Sequence, residues 1–218
     1  MRFIVSTSTL LKQLQAVNGA SSSSTVLPIL ENFLFEIKDG SLTISATDLQ
    51  TSMTTSLPVE SKEDGKVAVP SKILLETLKT LPDQPVAFSV DAQTFAIEIS
   101  AGDGKYKLSG ENGEDFPKIP TVENASSVSM PASVLAEAIN KTIFAVSNDD
   151  LRPAMTGVFC QLSPQNITFV ATDAHKLVRY RRNDTKSDAA ASFILPKKAL
   201  TLLKASLGSD DSAVSLEY

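Results

Sequence analysis

The sequence predicts an α+β protein assembled by duplication, and three observations carry that reading. A β-α-β-β-β pattern is written twice between Arg2 and Gly110. A longer unit recurs at an offset of 125 residues, where Ala46-Thr47-Asp48 matches Ala171-Thr172-Asp173. Alternating apolar runs also turn back on themselves at hairpin signals such as Asp39-Gly40, which makes the sheets antiparallel.

Taken in order, "RFIVS" is a short β-rich run, and "TSTLLKQLQAV" then places Leu10, Leu11, Leu14 and Val17 on one helical face. The helix is expected over Thr9–Val17. "ENFLFEIKDGSLTISATD" is a pair of strands around the Asp-Gly turn, and "TSMTTSLPV" extends the sheet. The pattern restarts with strand "KVAVP", helix "SKILLETLKTL", and strands "PVAFSV", "TFAIEIS" and "KYKLSG".

The longer repeat then follows. Leu27-Pro28 before "ENFLFEI" matches Arg152-Pro153 before "TGVFCQL", again 125 apart, and "VAVPSKILLETLKTL" matches "FILPKKALTLLKASL" one residue further on. "ASVLAEAINKTIFAV" is the counterpart of the first helix. The unit is far longer than a solenoid repeat and reads as a duplicated domain. The turn-rich stretch "ENGEDFPKIPTVENASS" divides the chain into domains over 1–120 and 121–218. The second copy stops at "AVSLEY", without a counterpart of "TFAIEISAGDGKYKLSG", so the chain is expected to be a fragment with an incomplete second domain.

Composition limits the chemistry. The 218 residues hold one cysteine, Cys160, which cannot form an internal disulfide and reads as a buried thiol in a reducing cytoplasm. No apolar run approaches a membrane span, and the N-terminus lacks a cleavage-like site. His175 is the sole histidine, so neither a metal cluster nor a proton relay with Asp173 is supported by spacing. "SSSS" lacks the glycines of a phosphate loop. The Asp149-Asp150 and Asp210-Asp211 pairs read as solvated turns or helix caps. The reading is therefore no enzyme, no metal and no cofactor.

The net charge of −5 argues against a simple basic nucleic-acid binder, but charge is segregated by element. Lys72 and Lys79 are two helical turns apart and share a face, as do Lys197 and Lys204 on the equivalent helix. Lys12 and Lys141 lie on the first helix of each copy, and acids on these helices are few: Glu76 and Glu137. Any one such helix reads as a solvated face; four together tilt toward a polyanion surface. Such a surface contacts phosphates without reading bases. The helices carry neither interleaved aromatics for single strands nor an Arg/Asn/Gln cluster for groove readout, which leaves duplex DNA held by its backbone.

"STLLKQLQAVNGA", "LTISATDLQTSM", "GEDFPKIP", "NDDLRPAMTGVFCQL" and "FVATDAHKLVRY", in this order, resemble the bacterial DNA polymerase III β subunit family, the sliding clamps. The resemblance runs through the whole chain. It implies a DNA-clamp fold with helices on the inner face of a channel and antiparallel sheets outside. Members carry three such domains per subunit, and two subunits close a homodimeric ring around double-stranded DNA without sequence preference; the third domain is expected to be missing from the fragment. It implies a cytoplasmic, nucleoid-associated processivity factor for replication. Polymerase, clamp loader and repair proteins would dock on it through short peptide motifs.

Residue by residue, the resemblance assigns DNA contacts to Lys12, Gln15, Lys72, Lys141, Lys197 and Lys198, with Lys79 and Lys204 added by spacing. Ser24 stands where the family often has a basic contact, so any contact there is weaker, and Asp149 is unfavourable for DNA. The wall of the peptide pocket maps to Met155, Thr172, Ala174, His175, Lys176 and Leu177. For Met155 and Leu177 ordinary core packing is the competing reading. The edge strand at Lys105, Tyr106, Lys107 and Leu108 maps to the subunit interface; otherwise it is an edge protected by its lysines. Arg179, Arg181 and Arg182 receive no role. A protein-binding adapter of the same fold, with lysines that merely solubilise it, is the alternative.

Overall fold

The computed structural model describes residues 1–21, 27–120, 125–207 and 212–218. They form two units, Met1–Ile119 and Pro120–Tyr218.

In the first unit, β1 (Arg2–Ser6) leads into α1 (Thr7–Val17), followed by β2 (Asn32–Lys38), β3 (Ser41–Thr47) and β4 (Ser52–Pro58). A two-residue β5 (Glu60–Ser61) precedes the second pass: β6 (Gly65–Pro70), α2 (Ser71–Thr80), β7 (Pro85–Val90), β8 (Ala96–Ala101) and β9 (Gly104–Ser109). A short β10 (Glu111–Asn112) follows. The two passes interlock. One sheet has the order β5-β1-β7-β8-β9 and the other β10-β6-β2-β3-β4, so each pass lends its first strand to the sheet of the other. The register is continuous, from Arg2↔Ser89 to Ser6↔Pro85 and from Asn32↔Pro70 to Ile37↔Gly65.

Apolar periodicity explains the helices. Leu10, Leu14 and Val17 of α1, and Leu74, Leu75 and Leu78 of α2, are buried. The start of α1 is held from a distance: Asp83 Oδ1 accepts from Ser8 N at 3.1 Å and Ser6 Oγ at 2.8 Å, meeting one of the helix's free N–H groups. This places the helix start at Thr7, two residues earlier than periodicity indicates. Phe3 and Phe88 from one sheet stack at 4.7 Å between centroids, and Phe35 from the other tilts against both. These rings join the two sheets through their apolar faces.

The second unit contains β11 (Ser127–Pro131), α3 (Ala132–Thr142), β12 (Gly157–Leu162), β13 (Ile167–Thr172) and β14 (Leu177–Arg182). It continues with β15 (Ala191–Pro196), α4 (Lys197–Ser206) and β16 (Ala213–Glu217). Its sheets are β14-β13-β12-β15 and β11-β16. The strand exchange recurs, with β15 on β12 and β16 on β11. Helix α3 buries Val134, Leu135, Ala138 and Ile139, whereas Leu200 is the one fully buried residue of α4. Cys160 sits in this core, and burial pushes its thiol up to about 12, which removes it as a nucleophile near neutral pH.

Candidate nucleic-acid and partner-binding surfaces

The helix lysines emerge where the buried stripes leave them. Lys12 and Gln15 on α1, Lys72 and Lys79 on α2, Lys141 on α3, and Lys198 and Lys204 on α4 are exposed. No described carboxylate forms an ion pair with Lys12, Lys72, Lys79, Lys141 or Lys204. Lys72 and Lys79 line one surface depression of about 710 Å³ together with Asn18, Ser21, Glu31 and Glu76. Lys197 differs from the other helix lysines: it is half-buried, and its Nζ donates to Asn148 Oδ1 at 2.6 Å. Asp149 is turned to its own neighbourhood, accepting from Arg152 Nε at 2.8 Å, and that contact holds its carboxyl below the usual carboxylate range. Ser24 lies outside the described residues.

The segment "ATDAHKL" closes the β13–β14 hairpin in a turn built from its own side chains. Thr172 Oγ1 donates to the Lys176 carbonyl at 2.8 Å and accepts from Ala174 N at 3.2 Å. Asp173 Oδ1 accepts from His175 N at 3.1 Å and Lys176 N at 3.0 Å, and its other oxygen pairs with Lys176 Nζ. The ammonium first, then the two N–H groups, hold the Asp173 carboxyl far below its ordinary value. Ala174 takes φ +76° to close the turn.

The same construction stands 125 residues earlier. Thr47 Oγ1 accepts from Leu49 N at 3.1 Å, Asp48 Oδ1 accepts from Gln50 N and Thr51 N at 2.9 and 2.6 Å, and Leu49 sits at φ +73°. Ala-Thr-Asp is thus a turn motif shared by both copies. In the second copy the Asp173–His175 hydrogen bond uses the histidine's backbone, and the imidazole is left exposed.

Sheet register brings the residues expected to line the peptide pocket to one end of a single sheet. β13 ends at Thr172 opposite Leu177, where β14 begins, and β12 begins just after Met155. Leu177 is 67% exposed, which overturns core packing for it, while Met155 is half-buried. Met155 also ties the loop after α3 to this end, its carbonyl accepting from Ser147 N at 2.9 Å.

β9 is the outer strand of its sheet. Tyr106 and Leu108 are half-buried, in register with Ile99 and Ile97, while Lys105 and Lys107 are exposed. Lys105 Nζ lies 3.4 Å from Glu98.

The arginine run separates by strand alternation. Arg182 points inward with Tyr180: its guanidinium bonds Glu137 of α3 at 2.8 Å, Asp184 at 2.6 Å and the Tyr180 hydroxyl at 3.0 Å. It fastens α3 to β14, a role that sequence reasoning missed because Glu137 lies 45 residues away. Arg179 and Arg181 point to the other face. Among the described residues no group of three or more His, Cys, Asp and Glu could hold a metal, and no helix is long and apolar enough to cross a membrane.

Two family models match this chain: the N-terminal domain of the DNA polymerase III beta subunit over residues 1–120, and its central domain over residues 129–218. A beta sliding clamp from Halalkalibacterium halodurans is 27% identical over 227 aligned positions, covering 99% of this chain and 60% of the relative. The crystal structure of the DNA polymerase sliding clamp from Bacillus subtilis superposes with a TM-score of 0.93 at 26% identity, over 99% of this chain and 59% of that one. A sliding clamp from Pseudomonas aeruginosa bound to griselimycin gives 0.91 at 28% identity, over 99% and 58%. The chain thus spans about 60% of the length of the curated relatives it matches. With two family domains matched in order, the chain belongs to the DNA polymerase III beta subunit family.

Proposed function

We propose that this chain is the DNA-facing and partner-docking part of a sliding clamp, a non-catalytic processivity factor that encircles duplex DNA and tethers a polymerase to it. The observation that carries the reading is the set of exposed lysines on α1 to α4, five of them without a described carboxylate partner, in a chain of net charge −5. Helices that carry seven lysines and only two acids, Glu76 and Glu137, in an acidic chain suit a surface that touches phosphates loosely and permits sliding. In this reading the DNA contacts are Lys12, Gln15, Lys72, Lys79, Lys141, Lys198 and Lys204. Lys197 contributes less because Asn148 already engages it. The chain provides a first clamp domain over 1–120 and a second over 121–218, and a third domain with a second subunit completes the ring.

Partner peptides dock at the sheet end bearing Met155, Thr172, Ala174, His175, Lys176 and Leu177. Leu177 offers exposed apolar area there, and the Thr172–Asp173 turn holds the backbone in place. The β9 edge, with Lys105, Tyr106, Lys107 and Leu108, is the strand available to a neighbouring subunit.

The adapter alternative is separated from this reading by mutation. Lys72, Lys79, Lys197 and Lys204 are exchanged for glutamate in the complete gene product, and clamp-dependent synthesis on a primed template is followed. The DNA role requires shortened products with peptide binding intact. Full-length products from the variant would establish the adapter.

A further inference from the structure

The outward face of the β14-β13-β12-β15 sheet has a charge pattern unlike that of the other sheets. No aspartate or glutamate occurs in any of its four strands, whereas each of the other sheets carries at least one, such as Glu36, Glu98 and Glu217. Arg179 and Arg181 stand on this face, two residues apart on β14. Arg179 has no partner among the described residues, and Arg181 donates from Nε to Thr168 Oγ1 at 3.1 Å. Arg182, on the opposite face, is satisfied by two carboxylates.

Cross-strand register sets an apolar row beside these cations. Arg179 lies opposite Val170, Val170 opposite Phe159, and Phe159 opposite Ile194. Phe159 and Ile194 are 36% and 42% exposed. Flat apolar area beside unneutralised guanidinium groups is complementary to a ligand that is both apolar and anionic.

We propose that this face docks an extended acidic segment of a partner protein. Carboxylates two residues apart in that segment, about 6.6 Å along a strand, pair with Arg179 and Arg181, and an apolar side chain lies over Phe159 and Ile194. A nucleic-acid backbone satisfies the guanidinium groups and leaves the apolar row wet. Two copies of this chain packed through the same face about a two-fold axis set arginine near arginine. An acidic peptide satisfies both features.

The test uses the 218-residue chain and fluorescence anisotropy. The probe is a short labelled peptide alternating aspartate and leucine; an alternating lysine–leucine peptide and labelled oligothymidine serve as comparison ligands. The acidic peptide binds, and the R179E/R181E variant weakens it by about tenfold or more, as loss of two charge-assisted contacts requires. F159S weakens it separately, while K38E/K62E, with the same charge change at exposed lysines of the first unit, leaves it unaltered. Thermal melting confirms that each variant folds. The proposal is overturned if the acidic peptide does not bind, or if K38E/K62E weakens it equally. It also fails if oligothymidine is the ligand that R179E/R181E releases, or if sedimentation shows a dimer of this chain that the same change dissociates.

Discussion

Neutralising the lysines of the first unit gives a quantitative handle on the proposed DNA contacts of its helices. Lys12, Lys72 and Lys79 are exposed and without a described carboxylate partner, so each is free to neutralise a phosphate. Counterion release makes log K fall with log salt at about −0.9 per phosphate on duplex DNA, so three contacts contribute a slope of about −2.7. Between 50 and 200 mM salt that slope corresponds to about 40-fold in affinity. The K12Q/K72Q/K79Q variant should therefore lose up to this much of the salt dependence, read by anisotropy on a labelled duplex across a salt series. K62Q/K107Q, which removes two exposed lysines from other elements, should leave the slope nearly unchanged. Wild-type and triple-variant slopes that coincide would refute a phosphate role for these residues.

Three further outcomes test the architecture around the proposed docking end. Arg182→Met unfastens α3 from β14; discounted for partial exposure, the loss is about 1–2 kcal/mol, seen as a Tm lowered by several degrees. Ala174→Gly removes the Cβ that disfavours φ +76° and should stabilise the chain by about 1 kcal/mol, measured by urea unfolding. Asp173 has a folded-state pKa below its unfolded value, so its contribution is complete above about pH 4 and is lost as pH falls through the folded-state pKa. The His175 and Lys176 amides should accordingly stay protected well below pH 4 in the wild-type chain. In Asp173→Asn that acid-dependent step is absent.

Much of this fold is legible in the sequence because the chain repeats its solution. Apolar spacing marks α1 to α4, and Asp39-Gly40 marks a hairpin, since both are local signals. Which strand joins which sheet is not local. The exchange of β1 and β6 between passes is set by packing Phe3, Phe35 and Phe88 between sheets, and no short-range pattern encodes it. The Ala-Thr-Asp repeat announces a shared turn, and the geometry supplies its mechanism: a threonine hydroxyl and an aspartate oxygen each satisfying backbone groups around one left-handed residue. The same geometry accounts for His175, two residues after Asp173, whose backbone N–H rather than its imidazole forms the bond to the carboxylate. Lys197 shows the limit of helical spacing: it shares a face with Lys204, yet Asn148, 49 residues away, engages its ammonium. Arg182 and Arg179 are adjacent in type and opposite in role because strand alternation sends them to different faces.

The central claim is that the helix lysines face duplex DNA inside a topological ring. The most direct measurement loads the complete gene product onto a nicked circular duplex and follows its retention before and after the circle is linearised. The account predicts retention on the circle and escape from free ends. It also predicts weaker loading when Lys72, Lys79, Lys197 and Lys204 are glutamate. Equal retention on circular and linear DNA, or loading indifferent to the four reversals, would contradict it.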